Sequence, residues 1–226
     1  VGKIAGLNMH RFALWNHSLA LARWTQLAQG LGLKQPLGGF QEVVSAWGEP
    51  QRAYHTLEHL SECLELFEAI GHHAQQPAQV AFALWMHDAV YDPTRSDNEA
   101  LSAAWADRLL VRAGAANETR ARIEALIAVT RHEATPATPD EALLVDIDLA
   151  ILGADSERFE RYEAQVRREY AFVPEASFRV ARRAIMQAFA QRNPLYLTEV
   201  MRAAREDQAR RNLAWSILHN TDPLES

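Results

Sequence analysis

The sequence predicts an all-α protein. Three observations carry this: apolar residues recur at three- and four-residue steps along most of the chain, no segment alternates with the period of a strand, and glycine or proline closes the periodic runs. At 226 residues the chain can bury a sizeable core. It contains no internal repeat, low-complexity tract or long linker. The expectation is one helical domain over residues 1–226, with a core over about 50–153 and the helices of 155–220 as an accessory layer.

The elements follow in order. "MHRFALWNHSLALARWTQLAQGLG" places Phe12, Trp15, Leu19, Ala22 and Leu27 on one helical face and ends in glycines. "GGFQEVVSAWGEP" reads as a short helix closed by Gly48 and Pro50. "HTLEHLSECLELFEAIG" repeats Leu57, Leu60, Leu64, Phe67 and Ile70 before Gly71, and a buried helix runs from Pro77 to about Ala89. Helices near 97–113 and 118–132 follow the turn "YDPTRSDNE", with Asn117 as N-cap of the second. "EATPATPDE" is a loop from which Asp140 would cap a helix ending near Gly153. Three more helices are separated at Val173-Pro174 and Asn193-Pro194, where proline removes a donor and restricts the residue before it.

Composition narrows the function classes. Hydrophobic residues make up 48% and charged residues 23%, ordinary values for a globular protein. A formal charge of −6 gives no general attraction to nucleic acid or anionic membrane, so a phosphate-bearing partner would need a local cationic site. No apolar run reaches the ~18 residues of a membrane span. The opening "VGKIAGLNMHRF" lacks the basic-then-apolar order of a signal peptide. The single cysteine, Cys63, excludes an intrachain disulfide and sits in an apolar helical stretch, which points to a reducing, cytoplasmic location.

Chemistry-bearing residues cluster in three places. "YHTLEHL" puts His55 and His59 four apart with Glu58 before the second, which read literally is the H-x-x-E-H pattern of one class of zinc proteases. Any helix with two histidines on one face shows that spacing. Such proteases have a mixed α/β fold and a downstream glutamate ligand, whereas this chain offers no strands and only arbitrary nominations in Glu124 and Glu133. "FALWMHDAVYDP" places His87 and Asp88 at the end of an apolar helix, where a charged pair is costly unless paired or metal-bound. "EALLVDIDLAILG" sets Asp146 and Asp148 in another apolar helix. Residues two apart on a helix point about 200° apart, so the two aspartates are not expected to share a role. Two imidazoles and two carboxylates spread over three helices suit a divalent transition metal, and their summed charge would neutralise it.

The order His … His-Asp … Asp on a helical chain resembles the HD superfamily of metal-dependent phosphohydrolases, over about 90 residues ending at Asp148. More narrowly, "RAYHTLEHL", "HDAVYDP … NE" and "DIDLAILG" look like a bacterial group of predicted HD phosphohydrolases, a similarity covering most of the chain. The resemblance implies an HD-like helical bundle with the metal site between helices. Cyclic-nucleotide phosphodiesterases of the superfamily are similar at Tyr-His-Asn-x-x-His, where the second histidine binds metal and the first protonates the leaving oxygen. This implies His59, His87, Asp88 and Asp148 as ligands and His55 as general acid. Thr56 stands where those enzymes have Asn. The deeper apolar position of His59, against His55 near the start of its helix, agrees with that division. Asp148-Leu149-Ala150 matches the family's Asp-Leu-Ser, leaving Asp146 as a supporting carboxylate.

Outer positions keep two readings each. Asp92 would orient the attacking water or form a turn with Pro93. Glu99 would serve the site or favour the N-terminal dipole of its helix. His132 would meet a substrate phosphate or a second metal, or be a cation at a helix C-terminus. Arg52 would grip a phosphate through two hydrogen bonds or form a capping or inter-helix salt bridge. His10 and His17 read as surface or groove-lining residues, His72 and His73 as solvated ones, and the tryptophans fall at core spacings.

The leading expectation is a metal-dependent phosphohydrolase acting on a small phosphate ester such as a nucleotide. It would use one or two divalent ions (Mn, Co, Fe, Zn or Ni, with Mg allowed), no nucleic acid polymer and no membrane, and a homodimer is compatible. The alternatives are a di-iron oxygenase of the same fold, a non-catalytic nucleotide-binding module, and the H-x-x-E-H protease.

Overall fold

The computed structural model describes residues 15–220, so the expectations for His10 and Phe12 lie outside the described residues. Ten α-helices are present among them and no strand. They are α1 (His17–Gly30), α2 (Phe40–Trp47), α3 (Leu57–Ile70), α4 (Pro77–Met86), α5 (Asn98–Arg112), α6 (Asn117–Ala128), α7 (Pro139–Asp148), α8 (Ser156–Glu169), α9 (Glu175–Gln191) and α10 (Glu199–His219). The chain divides into two compact units between Asp148 and Leu149. No helix of the described residues is long and apolar enough to cross a membrane.

In the unit ending at Asp148, local chemistry sets the helix ends. Asn16 caps α1, its Oδ1 accepting from the Leu19 N–H at 3.0 Å, so the helix starts later than the apolar pattern suggests and Trp15 precedes it. Gly39 enters α2 at φ +88, a left-handed conformation that costs glycine nothing. Thr56 caps α3 by accepting from the Glu58 N–H, which leaves His55 outside the helix. The four-residue spacing of His55 and His59 is therefore not one turn of helix. Helix α4 ends at Met86, short of the expected Ala89, with His87 at its C-cap.

Two expected caps fall elsewhere. Asn117 is the first residue of α6 and Ala116 holds the cap position, while the Asn117 side chain accepts from Arg120 at 3.0 Å. The Thr138 hydroxyl accepts from the Glu141 N–H in the first turn of α7. Asp140 accepts instead from the backbone N–H groups of Gln75 and Gln76, at 2.6 and 2.9 Å, and so caps the neighbouring α4. Sequence proximity suggested the wrong helix because the satisfied donors lie 65 and 64 residues away.

Helix α4 is the centre of this unit, with Val80, Phe82, Ala83, Leu84, Trp85 and Met86 all buried. It packs against α1, α3, α5, α6 and α7. Trp24 lies against Phe40, Phe82 and Trp85, with its indole N–H donating to the Leu37 carbonyl at 3.0 Å. Leu143, Leu144, Val145 and Ile147 bury α7. The C-terminal end of α4, the N-terminal half of α3 and the end of α7 thus belong to one apolar body.

In the unit from Leu149 onward, residues Leu149–Gly153 form a 3₁₀ turn and α8, α9 and α10 follow. Asn212 donates to the carbonyls of Leu152 and Ala154, and the Tyr196 hydroxyl donates to that of Leu149. Glu206 accepts from the Leu195 and Tyr196 N–H groups, and Arg182 pairs with Glu163 in a buried contact.

Candidate metal centre

Three helices bring the two buried histidines and one aspartate together. His59 lies in the first turn of α3, His87 caps the end of α4, and Asp148 is the last residue of α7. His59 and His87 are almost fully buried, and the Asp148 side chain is 12% exposed. Their facing atoms form a near-equilateral triangle: His59 Nε2 to His87 Nε2 is 3.3 Å, His59 Nε2 to Asp148 Oδ1 is 3.2 Å, and His87 Nε2 to Asp148 Oδ1 is 3.4 Å.

That triangle is the right size for an ion. Bonds of about 2.0–2.2 Å to nitrogen or oxygen place neighbouring ligand atoms about 3.0 Å apart at octahedral corners and about 3.4 Å apart at tetrahedral ones. The orientation of His87 also fits, because its Nδ1–H donates to the Leu84 carbonyl at 2.9 Å and leaves Nε2 to face the triangle. His59, His87 and Asp148 could hold a metal ion, and they are the residues that group so among those described.

The remaining expected site residues fall at different distances from this triangle. Asp88, just beyond α4, approaches it through His87, with Oδ2 3.3 Å from His87 Nε2. His55 stands outside: its Nε2 is 3.9 Å from Asp88 Oδ2, its side chain is 21% exposed, and its ring stacks on Tyr91 with centroids 4.0 Å apart. His132 closes a 3₁₀ turn at φ +58, a left-handed conformation uncommon for a side-chain-bearing residue, and its Nε2 lies 3.0 Å from Asp148 Oδ2. Asp148 therefore turns one oxygen to the triangle and the other to His132. Asp146 is fully buried on the same helix, outside the triangle.

Three outer residues are engaged locally. Asp92 accepts from both the backbone N–H and the hydroxyl of Thr94, at 2.9 and 2.7 Å, which builds the turn. Those hydrogen bonds hold its carboxyl below the usual range. Glu99 lies half-buried in the first turn of α5, at the favourable end of the helix dipole. Arg52 is enclosed, with a side chain 0% exposed whose nitrogens donate to Glu49 and to the backbone carbonyls of His55, Asp88 and Ala89.

Among the side chains of the site, charge is concentrated on His87 and its two carboxylates. Burial pulls the His87 pKa down, but Asp88 and Asp148 outweigh it and hold the imidazole well above its usual value. Burial raises Asp88, and the charge and hydrogen bond of His87 reverse this, bringing it to about 2. Asp148 is held well below the carboxylate range, burial being overcome by His87 and by hydrogen bonds from His132, His59 and His87. A proton on His87 and a metal ion would thus compete for one place.

Aromatic residues that sequence spacing assigned to the core, or did not single out, form the walls. The Trp47 ring lies 5.4 Å from that of His87 and 6.1 Å from that of His59, and its indole N–H donates to the Trp85 carbonyl. Tyr54 packs on both His59 and His55, with centroids 4.7 and 4.8 Å away. Asn98 clasps Asp92, donating to its carbonyl at 2.9 Å and accepting from its N–H at 3.1 Å. The adjacency of Tyr54 and Tyr91 to the histidine and aspartate motifs was the readable signal. Cys63, one turn after His59, places its sulfur 3.8 Å from the His59 ring nitrogens, and burial and then Asp148 push its thiol pKa up. Comparison with known proteins adds no family: no protein-family model matches the chain, and no curated protein or solved structure matches it significantly.

Proposed function

We propose that the protein is a metal-dependent phosphohydrolase of the HD type, acting on a small phosphate ester such as a nucleotide. The observation that carries the proposal is the His59–His87–Asp148 triangle with Asp88 beside it, which draws its residues from the three motifs on which the resemblance rests. His59, His87 and Asp148 would hold a divalent transition metal, with Asp88 as the fourth ligand. Such an ion supplies a water of lowered pKa and polarises a phosphoryl oxygen.

The chain's own residues then divide the work. His55 lies outside the triangle on the more exposed side, which suits a group that must meet substrate rather than metal. As water adds to phosphorus and gives up a proton, the ester P–O bond breaks and His55 gives its proton to the departing oxygen, the part a general acid plays. Tyr91 holds that ring by stacking, and His132 steadies Asp148 from its outer oxygen.

One feature favours a second reading, the two-ion oxygenase. Asp148 presents Oδ2 to His132 while Oδ1 faces the triangle, so Asp148 and His132 are the residues that would hold a second ion. One experiment separates the readings: elemental analysis of the purified protein, then phosphatase and phosphodiesterase assays of chelated protein resupplied with Mn, Co, Fe, Mg or Zn. One ion per chain with metal-restored ester hydrolysis supports the hydrolase. Two irons per chain without hydrolysis would replace it with the oxygenase, and an absence of bound metal under all five would remove both.

A further inference from the structure

Arg52 spends its guanidinium inside the protein, on one salt bridge to Glu49 and on three backbone carbonyls, and not on a phosphate grip. It lies between α2 and α3, and its side chain is entirely enclosed. One guanidinium nitrogen, Nη1, donates to two carbonyls from different segments: that of His55 at 3.2 Å and that of Asp88 at 2.6 Å. Nη2 donates to the Ala89 carbonyl at 3.0 Å, and Nε to Glu49 at 3.1 Å. The carbonyls of Asp88 and Ala89 belong to the turn leaving α4, where backbone acceptors lack helical partners. A planar fork with fixed donor directions can serve these acceptors together, whereas an ammonium is a single point charge on a flexible stem.

The same guanidinium also touches the aromatic walls. It lies 5.6 Å from the ring centroids of both Trp47 and Tyr91. Trp47 bears on the imidazoles of His87 and His59, and Tyr91 is the ring stacked on His55. Arg52 thus fixes the backbone of His55, the backbone of Asp88 and the ring that orients His55, while touching none of the three triangle atoms.

We propose that Arg52 is a positioning residue that sets the placement of the His55 imidazole relative to Asp88, and so controls turnover without holding metal or substrate. The 3.9 Å separation of His55 Nε2 from Asp88 Oδ2 is too long for a direct hydrogen bond to do this. The clamp acts on the backbones of both residues and, through Tyr91, on the ring stacked against His55. The inference rests on the functional reading above only where turnover is the readout.

The test uses Arg52→Ala and Arg52→Lys in the full chain, with metal content by elemental analysis, steady-state hydrolysis of p-nitrophenyl phosphate or its bis-ester, and His55 ring-proton shifts by NMR. Both variants should retain metal. The alanine variant should lose about ten- to a hundred-fold in kcat with KM nearly unchanged, as misplacement of a reacting group costs. Added guanidinium should restore part of that loss, and lysine, which cannot span the carbonyls, should fall between. In Arg52→Ala the His55 ring protons, shielded by Tyr91 in the parent, should move toward unshielded values and return with guanidinium. Loss of metal in step with activity, a rise in KM alone, or unchanged His55 shifts would overturn the proposal. If the parent hydrolyses no ester with any metal, the functional reading fails by itself, and the NMR shifts still decide whether Arg52 positions His55.

Discussion

His132 Nε2 lies 3.0 Å from Asp148 Oδ2, on the opposite oxygen from the one that faces His59 and His87. Partners of this kind orient a ligand and tune its basicity, and removing one commonly costs about ten- to a hundred-fold in metal affinity. His132→Asn is the informative substitution, because asparagine tolerates the φ of +58 at this position while losing the reach of the imidazole. Competitive chelator titration should show weakened metal binding with little change in folding. Unchanged affinity would make the contact incidental.

The two aspartates of α7 should separate sharply. Asp148→Asn keeps shape but removes the negative charge facing both histidines, so metal content should fall steeply. Asp146→Asn should leave metal content nearly intact, with its effect confined to stability or rate, since this side chain is buried outside the triangle. A protease using the H-x-x-E-H pattern would behave otherwise: both variants would keep metal, and Glu58→Gln would be inactive with metal bound. Elemental analysis and hydrolysis assays on the three variants decide between these patterns.

His59 and His55 should divide in the same way. His59→Ala removes one corner of the triangle and should abolish metal binding. His55→Ala should retain metal and lose about a hundred- to ten-thousand-fold in rate, the usual worth of a general acid. The reverse outcome, metal lost in His55→Ala and kept in His59→Ala, would exchange the assigned roles.

What the sequence made legible follows from the range of the interactions involved. Helix identity was readable because the apolar period and the glycine and proline stops are local, and α2, α3 and α9 begin and end close to the expected positions. The His59, His87 and Asp148 motifs stood out because each places a polar group where an apolar helix makes it costly. Contacts across the fold were not readable. Arg52 reads equally well as a phosphate grip until its carbonyl partners 36 and 37 residues away are seen. Asp140 reads as a cap for its own helix, and Trp47 as one more core residue. In each case the deciding partner lies on another element.

The unexpected cap at Asp140 carries a stability prediction. Its carboxylate satisfies the Gln75 and Gln76 N–H groups ahead of α4, the helix that ends in His87. Asp140→Ala should cost about 1–3 kcal/mol, the range for leaving backbone donors without their partner. Metal stoichiometry should survive, because the cap sits at the opposite end of α4 from the site. Urea unfolding of parent and variant measures the loss, and equal midpoints would mean that water replaces the carboxylate without cost.

The charge state of the triangle predicts opposite pH responses with and without metal. His87 holds its proton more tightly in the fold than in the unfolded chain, so its contribution is fully present below the usual histidine value of about 6.5 and is lost as pH rises through the higher folded value. Asp88 and Asp148 are shifted down, so their contributions are present above the usual carboxylate value and are lost as pH falls, through about 2 for Asp88. The site therefore favours the metal-free fold most between about pH 4 and 6.5, and that contribution declines toward alkaline pH. Metal binding must expel the His87 proton, so apparent affinity should strengthen as pH rises across the same interval in which the metal-free protein loses its site stabilisation. Thermal melts from pH 5 to 9, on chelated protein and on protein with excess Mn or Zn, should show the two stability curves diverging as pH rises. Parallel curves would mean that no proton leaves the triangle when the ion enters, and His87 would then not be a ligand.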